Sequence, residues 1–248
     1  MRIIARLDIK GPNLIKGYQF EGLRIIGNPN EYAVKYYKDG ADELLLIDTV
    51  ASLYERNNLL DIINSASKDV FIPITVGGGI RTVEDAEKVF KNGADKIAIN
   101  SAAVRRPSLI NDLVRIFGSQ AIVVSIQAKK IEENKWLVYL DGGRENTGLD
   151  VLKWLNEAVE RGAGEILITS IDQDGTKKGF DFNLYKNVSG ICKLPIIMSG
   201  GMGKLDDIKK LENFSKCDAI ASATMLHYNL SNIKEIKKNS KNYFKNSI

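Results

Sequence analysis

Two stretches of this chain occur twice. Gly40-Ala41-x-Glu43-x-Leu45 returns as Gly162-Ala163-x-Glu165-x-Leu167, and Pro73-Ile74-x-x-x-Gly78-Gly79 returns as Pro195-Ile196-x-x-x-Gly200-Gly201, both at an offset of 122 residues. The acidic pairs that follow, Glu84-Asp85 and Asp206-Asp207, keep that offset. Such a period is far too long for a solenoid, whose units run to roughly 20–50 residues. It divides the 248 residues into two similar halves, about 1–120 and 121–248, of one domain.

Eight short apolar runs punctuate the chain, at 3–9, 43–49, 71–79, 96–102, 121–128, 165–171, 194–200 and 218–226. They are rich in β-branched residues and lack strict alternation, which suits strands buried on both faces of a parallel sheet. Segments of helical period lie between them, at 30–40, 83–93, 148–162 and 204–214; in the last, Leu205, Ile208 and Leu211 recur at three-residue spacing. Eight βα units in about 250 residues predict an α/β protein with a (β/α)8 TIM barrel. Four units per half give that barrel a quasi-twofold axis. An open doubly wound sheet is the runner-up, and the half-length repeat argues against it.

Composition removes several chemistries. Two cysteines, Cys192 and Cys217, cannot form a disulfide framework or a four-cysteine zinc site, and a single histidine, His227, cannot form a multi-histidine metal centre. Acid–base work falls to carboxylates, lysines, amides or backbone, and no metal is expected. The net charge of +4 gathers in the closing segment KEIKKNSKNYFKNSI, which reads as a solvated helix face. No nucleic-acid motif and no run of 18 apolar residues occurs, so neither nucleic acid nor membrane is an expected partner. Arg6 and Asp8 interrupt the N-terminal apolar run, which reads as a strand and not as a signal core. A cytoplasmic enzyme or binding protein is the expectation.

In a barrel of this kind the working residues lie at the C-terminal ends of the strands. The third and seventh runs end in the repeated glycines, Gly78-Gly79 and Gly200-Gly201. Paired glycines let backbone N–H groups approach an anion, and a following helix N-terminus favours negative charge. Asn100-Ser101 and Ala223-Thr224, at the ends of the fourth and eighth runs, would complete each grip. Two such grips across one mouth predict a ligand with a phosphate at each end. Tight turns alone would also account for the glycines. Aligning the halves sets Asp8 against Gln127, one carboxylate and one amide, and only the carboxylate exchanges protons near neutrality. Arg6 shares a strand face with Asp8 and is placed to hold it ionised. At the opposite end, Arg2, Glu43, Lys96 and Glu165 begin strands that we expect to alternate around the barrel, forming an inward charged ring. That ring is either a salt-bridge layer closing the base or a gate for something small.

With LIKGYQF, ADELLLIDTVAS, PITVGGGIRT, GADKIAINSAAV, RGAGEILITSIDQDGT and PIIMSGG, the whole chain resembles the cyclase subunit of imidazole glycerol phosphate synthase from histidine biosynthesis. The resemblance implies ammonia supplied by a partner glutaminase docked at the barrel base in a heterodimer. Ammonia would pass the ring of Arg2, Glu43, Lys96 and Glu165, with Asp95 facing the glutaminase. It would attack a phosphoribulosyl-formimino aminoimidazole carboxamide ribotide, yielding imidazole glycerol phosphate and aminoimidazole carboxamide ribotide without a cofactor. Lys16 matches the family's mobile-loop lysine after the first strand. Gly79, Asn100, Ser101, Asp174, Ser199, Gly201, Ala223 and Thr224 fall at its substrate-binding positions, with Gly78, Thr169 and Gly200 beside them. The family's two catalytic aspartates correspond to Asp8 and Gln127. The second is an amide here, and Arg6 replaces a small residue. Those departures leave an alternative: a divergent paralogue passing ammonia from a glutaminase to a sugar amidotransferase of surface-polysaccharide biosynthesis.

Overall fold

Alternation along the strands of a closed sheet decides what each residue faces. The computed structural model describes residues 1–50, 59–213 and 217–245. In the first half lie β1 (Arg2–Lys10), β2 (Asn13–Tyr18), β3 (Glu21–Gly27), β4 (Glu43–Asp48), β5 (Ile74–Gly77) and β6 (Lys96–Ile99). In the second lie β7 (Ile122–Glu132), β8 (Lys135–Leu140), β9 (Glu145–Asp150), β10 (Glu165–Ser170), β11 (Ile196–Ser199) and β12 (Ala219–Ser222). Parallel pairing runs β10-β11-β12-β1-β4-β5-β6-β7, and β7 pairs with β10 to close the ring. The fold is a (β/α)8 barrel, as the repeat predicted. Outside it stand α1 (Pro29–Lys38), α2 (Leu59–Asp69), α3 (Val83–Lys91), α4 (Ser101–Arg105), α5 (Ser108–Phe117), α6 (Val151–Glu160), α7 (Phe182–Ile191), α8 (Asp206–Lys209), α9 (Thr224–His227) and α10 (Ile233–Lys245).

Ile3, Leu44, Ile97, Val124 and Ile166 point outward and pack under the helices in the main core. Residues one step along the strands point into the barrel, where Ile4, Leu45, Ala98, Val123, Leu167, Ile197, Ala219 and Ala221 form a separate apolar cluster. Polar side chains lie above and below it. No helix among the described residues is long and apolar enough to cross a membrane.

Equivalent polar devices appear 122 residues apart. Asp85 accepts hydrogen bonds from the N–H groups of Arg81 and Thr82, and Asp207 from those of Gly203 and Lys204. The repeated acidic pairs are thus helix-entry caps. Asn28 and Asp150, also 122 residues apart, cap α1 and α6 by accepting from N–H groups of the first turn that follows. Two antiparallel hairpins, β2–β3 and β8–β9, follow the first strand of each half. They are absent from the sequence expectation because the run rule sought buried strands, and β3 and β9 are largely exposed. The expected helix over 204–214 is also shorter. Only 206–209 is α-helical, with a 3-10 turn at 210–213, and residue 214 lies outside the described residues. Ile208 and Leu211 are nevertheless buried, so the apolar spacing marked the right face.

Gly164 has a packing reason of its own: a Cβ there would meet the Ser119 carbonyl oxygen at 1.9 Å. Gly164→Ala should therefore lower stability by more than about 2 kcal/mol, through forced backbone displacement. Gly190 sits in α7, and a Cβ added there would meet nothing within 4 Å. Gly190→Ala should raise stability by about 0.5–1 kcal/mol. Urea titration of both variants checks the contrast in sign.

Candidate active site at the barrel mouth

At the base of the interior, Arg2 and Lys96 each bridge Glu43 and Glu165. Arg2 Nη1 lies 2.7 Å from Glu43, Lys96 Nζ lies 2.9 Å from both carboxylates, and Arg2 Nη2 pairs with Glu165. Thr75 Oγ1 donates to Glu43 at 2.6 Å. The four charges come from β1, β4, β6 and β10, which are the first, second, fourth and sixth barrel strands. This corrects the expected strict alternation: Arg2 reaches sideways because its side chain is long, so neighbouring strands can contribute. Asp95 is exposed at this end, and its carboxylate accepts from the Ile74 N–H at 2.8 Å.

At the other end the two glycine turns match. Gly78 and Gly79 have φ of +98° and +72°, and Gly200 and Gly201 have +94° and +100°. A Cβ at Gly78 would meet the Asp48 carbonyl at 2.3 Å, and one at Gly200 would meet the Ser170 carbonyl at 2.8 Å. Both turns therefore need glycine on conformational and packing grounds. Asn100 and Ser101 enter α4 beside the first turn, with Ser101 Oγ accepting from the Asp141 N–H of the β8–β9 hairpin. Ala223 and Thr224 enter α9 beside the second.

A buried charge network spans the centre. Arg6 Nε donates to Asp8 Oδ1 at 2.8 Å, while Nη1 donates to Thr169 Oγ1 at 3.2 Å and to Ser199 Oγ at 3.1 Å. Lys16 Nζ donates to Asp174 at 2.7 Å and reaches Asp8 Oδ2 at 3.4 Å. The Phe20 ring lies 5.9 Å from the Arg6 guanidinium carbon. Burial alone would raise the Asp8 pKa. Arg6, then Lys16, outweigh it and hold the carboxyl down at about 2. Gln127 lines the same space, and its Oε1 is buried without a hydrogen-bond partner among the described residues.

Lys16 lies on β2, which corrects its expected place in a loop. Its ammonium is buried between two carboxylates, and this pairing repays the desolvation of the strand. At the hairpin tip, Gln19 and Phe20 take left-handed backbone (φ 51° and 67°) without glycine. Gln19 is pinned there by hydrogen bonds to the carbonyls of Asp172 and Asp174. Phe20 and the arginines at 81, 105, 106 and 144, all lining the mouth cavity, were missed in the sequence. The arginines could have been found as cations within the first several residues after the strand ends. Phe20 carries no such signal. His227, the sole histidine, is buried behind the site, with Nδ1 2.6 Å from the Tyr36 hydroxyl.

Fold and site together define a (β/α)8 barrel with a charged base, an apolar waist and a polar mouth carrying paired glycine turns. The chain belongs to the histidine biosynthesis protein family, whose model matches residues 2–232. It is 60% identical over 207 residues to "Imidazole glycerol phosphate synthase subunit HisF" of Legionella pneumophila, covering 84% of this chain and 98% of that protein. It is 47% identical to the protein of that name from Helicobacter hepaticus over 95% of this chain and 93% of the relative. The Bacillus cereus (strain ATCC 10987 / NRS 248) protein of that name is 44% identical, over 97% and 96%.

Two titrations should be separable in acid. Burial, as the largest cause, holds His227 down at about 4, so it is neutral in the fold while the unfolded chain protonates near 6.5. Its contribution, about 3 kcal/mol, is full above pH 6.5 and is lost as pH falls towards 4. The Asp8 contribution, about 2 kcal/mol, is full above about pH 4 and is lost as pH falls towards 2. Chemical denaturation across this range should show both slopes. His227→Gln should remove the upper one, whereas Asp8→Asn should remove the lower and, because the Asp8 charge raises the His227 pKa, carry the upper slope to lower pH.

Proposed function

We propose that this chain is the cyclase (synthase) subunit of an enzyme of imidazole glycerol phosphate synthase type. In a cytoplasmic heterodimer with a glutaminase, it uses ammonia to convert the phosphoribulosyl-formimino aminoimidazole carboxamide ribotide into imidazole glycerol phosphate and aminoimidazole carboxamide ribotide, a carbon–nitrogen lyase and cyclase reaction. The observation that carries this reading is the layered interior. A four-charge ring lies at the base, Asp8 lies at the mouth, and a waist containing Ala98, Ala219 and Ala221 lies between them.

In this reading the domain is one barrel of two half-barrels, about 1–120 and 121–248. Arg2, Glu43, Lys96 and Glu165 gate ammonia, and Asp95 faces the glutaminase. Lys16, Gly78, Gly79, Asn100 and Ser101 hold one end of the ribotide. Thr169, Asp174, Ser199, Gly200, Gly201, Ala223 and Thr224 hold the other. Asp8 is the general acid/base, and Gln127 orients the substrate without exchanging a proton.

A second reading is favoured by the Arg6–Asp8 pair. A carboxylate held near pKa 2 is a weak base, so the mouth suits an ammonia conduit between a glutaminase and a sugar amidotransferase of surface-polysaccharide biosynthesis.

Turnover of the ribotide with ammonium salts as nitrogen source separates the two. The cyclase reading expects measurable turnover. Asp8→Asn should lower it roughly 100-fold or more, and Gln127→Asp should raise it within the roughly 10²–10⁴-fold span of a positioned acid or base. Complete absence of turnover, with stimulation of a co-purifying glutaminase, would select the conduit.

A further inference from the structure

The two glycine turns open into separate spaces. The first lies in a cavity of about 430 Å³ that also reaches Asp8, Lys16, Asn100 and Gln127. The second faces a space of only about 10 Å³, bounded by Ser199, Gly200, Gly201, Ala223 and Thr224. That is room for about one water. Among the described residues, only Arg6 and Asp174 line both spaces. The partition is therefore one salt-bridged wall across the middle of the mouth.

We propose that Arg6 is a specificity-determining latch: a ligand with one phosphate fits the larger compartment without disturbing it, whereas a ligand with a phosphate at each end must displace it. The guanidinium is anchored on both sides of the wall, to Asp8 on β1 and to Thr169 and Ser199 on β10 and β11. Phe20, carried by the hairpin tip, lies against it. A chain of ligand atoms running from one glycine turn to the other has to cross the space these contacts fill. Displacing Arg6 also separates a buried ion pair, which is costly unless the incoming anion takes over the guanidinium. The second compartment supplies such an exchange only when a phosphate enters it. One-ended ligands gain nothing there, so the latch opens for two-ended ligands alone and taxes their affinity. This inference rests on reading the glycine turns as phosphate grips, and it holds whether or not the cyclase reaction follows.

The test is calorimetric binding without ammonia, using the full chain. The two-ended probe is the phosphoribulosyl-formimino aminoimidazole carboxamide ribotide. The one-ended probe is aminoimidazole carboxamide ribotide. The wild type should favour the two-ended probe by less than about tenfold. Arg6→Ala should widen that preference by about tenfold or more, the size of a charge-assisted hydrogen bond, with the one-ended affinity changed less than about threefold. Phe20→Leu removes the ring that lies against the guanidinium and leaves the Asp8 pair intact. It should widen the preference in the same direction by a smaller factor, and it carries the test if Arg6→Ala does not fold. An unchanged preference in both variants overturns the latch. If neither probe binds any of the three proteins, the phosphate-grip reading fails, and the latch with it.

Discussion

Closure of the parallel sheet places every second side chain of each strand inside a space that water reaches only at its ends. That constraint sorts the interior into layers. Charges are tolerated at the base because Arg2, Glu43, Lys96 and Glu165 satisfy one another and Arg2 remains partly exposed. The waist must be apolar, since an unpaired polar group there would lose its hydration without compensation. The mouth can be polar again because the hairpins and strand-end loops supply partners. Position along a strand therefore fixes chemistry: on β1, the inward series Arg2, Ile4, Arg6, Asp8 passes through all three layers.

The halves share a backbone plan and differ in what fills it. Both begin with a long strand and a hairpin, and both cap a helix with the side chain of an equivalent residue, Asn28 or Asp150. Both turn on paired glycines in the left-handed region. In the first half those glycines face an open cavity. In the second they face Arg6 and Asp174, the latter paired with Lys16. The asymmetry therefore comes from Arg6 of β1 and Asp174 after β10, with the repeated backbone devices kept on both sides.

Much of this was legible in the sequence because it follows from local rules. The repeat offset and the eight runs specified the barrel, and strand alternation placed Arg6 next to Asp8. The charged ring was visible as residues at strand starts, although its spacing around the barrel was not, because side-chain reach does not appear in strand order. The hairpins escaped notice because exposed antiparallel strands lack the buried-run signature. Lys16 was placed in a loop by the resemblance alone, and its burial between Asp8 and Asp174 is a contact that no local pattern shows. The division of the mouth depends on contacts 163 and 193 residues apart in the chain, which no local pattern encodes.

The two departures at the mouth are linked by charge. Arg6, Lys16, Asp8 and Asp174 sum to zero, and Gln127 adds nothing. A small residue at 6 with a carboxylate at 127 would leave the same group at −2. Three carboxylates around one ammonium would compete for protons, which raises at least one of their pKa values. The balanced network found here does not: Arg6 and Lys16 keep Asp8 as a fixed anion. Changing position 127 alone to an acid would still leave Arg6 as a buried cation lining the same cavity, with two carboxylates competing for one guanidinium. How far a carboxylate added at 127 could exchange protons is therefore set by Arg6.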